Sequence, residues 1–325
     1  MSRSFFTYGG GMSVSGRAVL PAVLALALLA SGCGASESKA RSAQRENTDT
    51  AYRLAAASSV RVVAVGDIAC PPGKPTTATT CQQAATAALT QRLNPVLLLT
   101  LGDHQYENGT LSEFQGSYDK SWGALLPKTR PVIGNHEYKT SGASGYYSYF
   151  RGRQPGPPGY YRVSANGWQI YVLNSNCGKV SCSAQAAWLG RQMAAHPARC
   201  SIIAMHHPRY SSGFEHGNNR SVKPLWTAAY RRHNDVVLAG HDHDYERFKP
   251  MDPWGNVRPL RGMTSFVSGA GGKSLYRLGS RKRGSVYFQG RTHGVLQLDL
   301  RAGSYSWAFR NIGGTVMDSG SRTCR

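Results

Sequence analysis

The chain has 325 residues, of which 41% are hydrophobic and only 17% charged, and glycine is frequent at 37. That balance excludes a coiled coil or a disordered chain and fits one large α/β domain or two small ones rich in loops. The formal net charge of +21 points to anionic surfaces or anionic substrates without choosing between them, and composition bias in an exported protein is an equal reading.

The first 33 residues read as an export signal. Arg3 and Arg17 precede the apolar run 18–30, too short for a comfortable membrane span, and Ser31-Gly32-Cys33 follows. Residues 29–33 resemble a bacterial lipobox, with Ala30 where Leu is more usual. Two outcomes fit: lipidation at Cys33, which the position of the cysteine favours, and cleavage nearby that frees the protein. Met12 is a second candidate start, because a complete signal follows it. Residues 34–59 are polar, Ala/Ser-rich and without apolar periodicity, as expected of a flexible tether. Residues 1–59 hold six Lys/Arg and three acids, so +18 of the +21 falls on the expected domain, 60–325.

From residue 60 on, short apolar runs each end in a polar cluster. Run 61–65 ends at Gly66-Asp67, 96–101 at Gly102-Asp103, and 131–133 at Gly134-Asn135-His136. Run 170–173 ends at Asn174, 201–205 at His206-His207, and 235–239 at Gly240-His241-Asp242-His243. Further strands are expected at 264–268, 295–300 and 305–310, and helices at 81–93, 112–123, 184–195 and 222–232, the last with Pro224 in its first turn. The alternation implies an α/β fold with much parallel pairing, to which late strands add an antiparallel part. Ligand sites in open α/β sheets gather at the carboxyl ends of strands, where every polar cluster lies. No internal repeat and no second domain is evident.

Apart from Cys33 there are six cysteines, an even set consistent with disulfides in an exported chain. Six cysteines allow 15 pairings. Short loops favour Cys70–Cys81 and Cys177–Cys182, which leaves Cys200–Cys324 to pin the C-terminal region. A thiolate metal site is the alternative, disfavoured because no CxxC pair occurs.

The strand-end groups Asp67, Asp103, Tyr106, Asn135, His136, His206, His241 and His243 form a mixed oxygen and nitrogen set that suits iron, zinc or manganese. They are too many for one tetrahedral zinc and right for two metals sharing a bridging carboxylate. Each alone is ordinary, since an Asp after Gly is often a turn residue or a helix cap. The ordered set GD, GDxxY, GNHE, HxP and GHxH is specific jointly.

That set resembles the calcineurin-like metallophosphoesterases, and within them the purple acid phosphatases, over essentially all of 60–325. The resemblance implies a two-sheet β-sandwich of mixed strands flanked by helices. It implies that Asp67, Asp103, Tyr106 and His243 hold one metal, that Asp103 bridges, and that Asn135, His206 and His241 complete the second. His136 would be a non-ligand histidine beside the phosphate, and His216 a further substrate-side histidine. The chain departs from the family at Ala69, where Gly-Asp-x-Gly is usual, and at Ile203, where valine is common; both changes are conservative. Plant members often carry an additional N-terminal β-domain, where this chain has the tether.

Many relatives place a histidine at the position of Ala69, so here Tyr106 replaces it. A phenol with pKa about 10 stays ionised near neutral pH only beside a strong Lewis acid, which points to Fe(III) with a divalent ion (Fe, Zn or Mn). The expected reaction is hydrolysis of phosphate monoesters by attack of a metal-bound hydroxide, with His136 and His216 acting on the phosphoryl or leaving group. Alternatives are a phosphodiesterase or nucleotidase on the same metals, or a surface protein binding an anionic cell-surface polymer. The membrane is reached only through the lipid anchor, and no specific nucleic acid partner is expected. Four further features have blander readings. The glycine-rich run 269–273 is expected to be a tight loop near the site, and the basic stretch 273–283 a solvated loop. The aromatic stretch 146–150 reads as core packing or a leaving-group flank, and His104, His207 and Asp244 as supporting residues or turn formers.

Overall fold

The structure, a computed structural model, describes residues 59–325. The expected signal peptide, the lipidation site Cys33 and all but the last residue of the expected tether lie outside the described residues. Two mixed sheets pack face to face. The first has the order β13-β12-β11-β1-β2-β3. Its strands are β1 (Val60–Val65), β2 (Leu97–Thr100), β3 (Thr129–Pro131), β11 (Gly294–Arg301), β12 (Ser304–Asn311) and β13 (Val316–Thr323). The second has the order β10-β8-β9-β7-β6-β5-β4. It contains β4 (Tyr161–Ala165), β5 (Trp168–Val172), β6 (Ser201–Ala204), β7 (Val236–Ala239), β8 (Tyr245–Met251), β9 (Met263–Ser268) and β10 (Ser285–Gln289).

Both faces of the central strands are buried, which explains their continuous apolar runs. Val62 and Ala64 of β1 point between the sheets with Ile170, Ile202, Val236 and Leu298. Val63 and Val65 point outward to α1 (Gln83–Leu93) and to the aromatic cluster of Phe114, Tyr118 and Trp122. On the far side Ile203 and Val237 meet α5 (Cys182–Ala195) and α6 (Lys223–Arg231) through Leu189 and Trp226. The expected two-sheet sandwich flanked by helices is therefore the observed fold.

Local chemistry sets the other elements. Thr110 and Glu113 form a reciprocal capping box that starts α2 (Leu111–Glu113). That helix continues through a π-helical turn, Phe114–Tyr118, into α3 (Asp119–Trp122). The aromatic stretch that includes Tyr146, Tyr147, Tyr149 and Phe150 forms α4 (Ser144–Tyr149) and its C-cap, and packs in the core. The three disulfides are Cys70–Cys81, Cys177–Cys182 and Cys200–Cys324, the pairing that loop length favoured. No helix among the described residues is long and apolar enough to cross a membrane.

The parallel strands place the site. β1, β2 and β3 run parallel in one sheet, and β5, β6, β7 and β9 in the other. The carboxyl ends of both sets open on the same end of the sandwich, so the loops after β1, β2, β3, β6 and β7 converge there.

Candidate metal centre

Backbone geometry delivers the first carboxylates. Asp67 and Asp103 sit just beyond β1 and β2 in the left-handed region, at φ 62° and 47°, and His241 beyond β7 does the same at φ 74°. Non-glycine residues rarely adopt this conformation, and here three of them share one cleft. Glycine is required beside them. A Cβ at Gly134 would lie 2.2 Å from Asp103 Oδ1, and one at Gly102 (φ +92°) would lie 2.5 Å from His206 Nδ1.

Each carboxylate has one oxygen tied to the backbone and one turned to the cleft. The His241 N–H donates to Asp67 Oδ2 at 2.8 Å, and the His136 N–H to Asp103 Oδ1 at 2.8 Å. Asp67 Oδ1 faces the Tyr106 hydroxyl at 3.0 Å. Asp103 Oδ2 lies 3.2 Å from that hydroxyl on one side and 3.3 Å from His206 Nε2 on the other. Asp103 thus faces both groups of side chains.

Backbone carbonyls fix the imidazole tautomers. A carbonyl only accepts, so His206 Nδ1–H donates to Leu101 O at 2.8 Å and His243 Nδ1–H to Ser274 O at 2.7 Å. In the neutral rings the Nε2 lone pairs therefore face the cleft. His243 Nε2 lies 2.9 Å from the Tyr106 hydroxyl. His206 Nε2 lies 2.9 Å from Asn135 Oδ1 and 3.1 Å from His241 Nδ1. The single phenolic proton of Tyr106 thus confronts three acceptors: two carboxylate oxygens and an imidazole nitrogen. Such a surplus of lone pairs, buried and spaced about 3 Å apart, is a donor set that would hold metal cations. Two triads, Asp67/Asp103/His206 and His206/His207/His241, have ligand atoms within 4.8 Å of one another.

Electrostatics agree with this donor set. Burial lowers His243 to about 3 and His207 to about 3, in the latter helped by His206, and lowers His241 too, helped by His206, His207 and His216. These rings are neutral and can donate lone pairs. Burial also opposes the charge on His206, but Asp103 and then Asp67 outweigh it and push that ring up to about 10. For Asp103 burial raises the pKa, yet His206, His136 and His241 outweigh it and hold the carboxyl well below its usual range. Asp67 is raised well above its range by burial, against the pull of His206. Burial, then Asp103 and Asp67, keep the Tyr106 phenol protonated in this frame, so only a bound cation would make it a phenolate.

The two histidines expected near substrate line the same cleft. His136 donates from Nδ1 to Glu107 O at 2.6 Å, which leaves Nε2 facing inward, 4.0 Å from Asp103 Oδ2. His216 is exposed and stacks on His241 at 3.9 Å. Its loop is tied down by the Gly217 N–H, which donates to buried Asp242 at 3.1 Å.

Three further residues shape the centre. Glu137 is fully buried and accepts the N–H groups of Asp103 (3.0 Å), His104 (2.7 Å) and Gly134 (2.7 Å). The GNHE run contained the signal for it. Tyr276 stacks on His243 at 3.8 Å, within 9° of parallel, and nothing in the sequence marked it. Lys273 pairs with Glu107 and holds Nζ 4.6 Å from the Tyr106 ring, so one end of the basic stretch belongs to the cleft. His104 lies in the core against Phe150 and bonds Thr100 at 2.7 Å and Glu137 at 3.2 Å, a supporting place as expected. His207 lies 2.8 Å from Ser175 Oγ, and its ring is 4.4 Å from that of His241.

Fold and donor set together are those of the two-sheet, metal-dependent phosphoesterase class of folds. The chain belongs to the calcineurin-like phosphoesterase family, whose model matches residues 60–245. It is similar to purple acid phosphatase 21 of Arabidopsis thaliana, 29% identical over 158 residues, which are 47% of this chain and 31% of that one. Its fold is that of a purple acid phosphatase from yellow lupin (Lupinus luteus) seeds, at TM-score 0.69 and 19% identity over 83% of this chain and 54% of that one. It is also that of GAP50, the anchor in the inner membrane complex of Plasmodium, at TM-score 0.62 and 14% identity over 82% and 90%. The chain thus spans about half the length of the lupin protein, or less than a third of the Arabidopsis one.

Proposed function

We propose that this chain is an exported hydrolase of phosphate monoesters, of acid phosphatase type, working with two metal ions. Asp103 carries the reading: one oxygen is locked by the His136 N–H, and the other is presented at once to Tyr106 and to His206. Asp67, Tyr106 and His243 would hold one ion, Asn135, His206 and His241 the other, and Asp103 both. The pair, when bound, supplies Lewis acidity toward the phosphate and acidifies a water. Tyr106 in place of a histidine favours Fe(III) as the first ion, with Fe, Zn or Mn as the second.

The protein's own groups do the rest. His136, with Nδ1–H anchored on Glu107 O, is free at Nε2 to hold a proton against a phosphoryl oxygen or give it to the leaving group. His216 stands across the cleft on His241 and can bond the same phosphate from the exposed side. Lys273 adds positive charge at the mouth. The fold alone does not decide for catalysis, since one neighbour of the same fold is described as an anchor; the complete donor set supports it. The three disulfides support export, and the lipobox-like run supports an anchored form at the cell surface.

Metal analysis with a visible spectrum tests the metals. We expect two ions per chain and a phenolate-to-iron band that Tyr106→Phe removes; a colourless, fully active zinc or manganese enzyme would overturn the iron assignment. Comparing a nitrophenyl monoester with a bis-nitrophenyl diester tests the reaction, with the monoester expected to turn over faster. A metal-stripped protein that kept its whole biological effect would instead favour a surface-binding role.

A further inference from the structure

One large cavity of the described domain lies away from the metal centre. About 660 Å³ in volume, it opens at the amino ends of β5, β6 and β7, with Gln169 and Ser201 on its wall. His206 follows Ser201 by five residues, and at about 3.3 Å per residue the cavity lies roughly 16 Å from the centre, at the other end of the same strand.

Six side chains that carry or can take positive charge line it, from three separate segments. His196 and Arg199 come from the turn after α5, Arg231, Arg232 and His233 from the end of α6, and Arg325 from the C-terminal stretch that the Cys200–Cys324 bridge pins beside β6. Asp235 lies beside Arg325, 3.8 Å from its Nε. Asp235 is buried and already engaged, accepting the Ser201 N–H at 3.0 Å and the Arg325 N–H at 3.0 Å. Arg325 is in turn held by the carbonyls of Arg261 and Asn234. The guanidinium groups of Arg199, Arg231 and Arg232 make no hydrogen bond or ion pair among the described residues.

Cations near helix C-termini are ordinarily explained by the helix dipole. That explanation covers Arg231 and Arg232, in the last turn and C-cap of α6, but not Arg199, which lies in the turn beyond α5. Arg199, Arg231 and Arg232 are exposed, so solvent screens much of their mutual repulsion, and a bound anion would relieve the rest. Arginine forks match phosphate oxygens two at a time, and the cavity is too large for a single orthophosphate.

We propose that this cavity binds a ligand carrying two or more phosphate groups, at a site separate from the metal centre. Arg199, Arg231 and Arg232 supply the phosphate contacts, while Arg325, fixed by Asp235 and the disulfide, forms the rigid wall.

The probe is methylenediphosphonate, whose P–C–P bridge a phosphoesterase does not cleave, titrated calorimetrically into the metal-loaded full chain at low and moderate salt. The triple variant Arg199→Ser/Arg231→Ser/Arg232→Ser should bind at this site at least tenfold more weakly, and the loss should shrink as salt rises. Inhibition of turnover by the same compound, which reads the metal centre, should be unchanged. A control, Arg281→Ser/Lys282→Ser/Arg283→Ser, removes the same charge elsewhere and should bind within twofold of wild type. Melting temperatures verify that both variants fold. An isotherm unchanged by the first triple substitution, or weakened equally by the control, overturns the proposal.

Discussion

Glu137 accepts the His104 N–H at 2.7 Å, and through that contact the loop after β3 holds the loop after β2. The same carboxylate takes the N–H groups of Asp103 and Gly134, so one buried acid fixes the backbone on both sides of the cleft. Glu137→Gln puts an amide N–H against these donors. We expect a loss of about 2–4 kcal/mol in stability and about 10–100-fold in metal affinity. Thermal unfolding and metal titration read both, and a variant unchanged in both would refute the role.

His136 is placed to act on substrate without holding a metal, because its Nε2 stands 4.0 Å from Asp103 Oδ2 and its Nδ1 is spent on Glu107 O. His136→Ala should lower kcat by about 10²–10⁴ with metal content intact. Loss of metal from the variant would show instead that the ring belongs to the ligand set.

The Cys200–Cys324 bridge spans 124 residues and ties the chain after β13 to the start of β6. Closing so long a loop removes much entropy from the unfolded chain. Cys200→Ser/Cys324→Ser should lose about 3–5 kcal/mol in urea denaturation, more than Cys70→Ser/Cys81→Ser, whose loop spans 11 residues.

Asp252 gives a pH signature away from the metals. Its buried carboxylate accepts the N–H groups of Trp254 and Asn256 at 2.9 Å and the side chains of Asn256 and Arg258 at 3.0 Å. Burial opposes the charge, but these bonds outweigh it and lower the pKa. A lowered folded pKa means stability that is present above the unfolded value, about 3.9, and is lost as pH falls through the folded one. Asp252→Asn should therefore be about 1–2 kcal/mol less stable than wild type at pH 7. The two should converge below pH 4, and a gap that persisted undiminished at the lowest pH would contradict the charge assignment.

Much of this was legible in the chain. Strands β1, β2, β6 and β7 are buried on both faces, so their apolar runs stand out, and each ends at a residue of the cleft. The strands β4, β8, β10 and β13 did not stand out. They lie at or next to sheet edges with half-exposed, polar faces, as in Lys249 of β8 or Ser319 of β13, and no single-chain periodicity marks such strands. The segment 112–123 reads as one helix but is interrupted by a π turn at Phe114–Tyr118, where the Phe114 and Tyr118 rings both lie near that of His104.

The sequence by itself determined the kinds of donor and their order at strand ends, because carboxylate, phenol and imidazole are recognisable one residue at a time. Only the tertiary structure decided which oxygen of each carboxylate faces the cleft, which nitrogen of each imidazole is free, and that Glu137 and Tyr276 belong to the centre. Those facts depend on hydrogen bonds and ring contacts between residues far apart in sequence, from 29 positions for His136 and Glu107 to 174 for His241 and Asp67, which exist only once two sheets have packed. The remote arginine cavity has the same origin, since Arg199, Arg232 and Arg325 share no motif and meet only because three chain segments turn at one end of the second sheet.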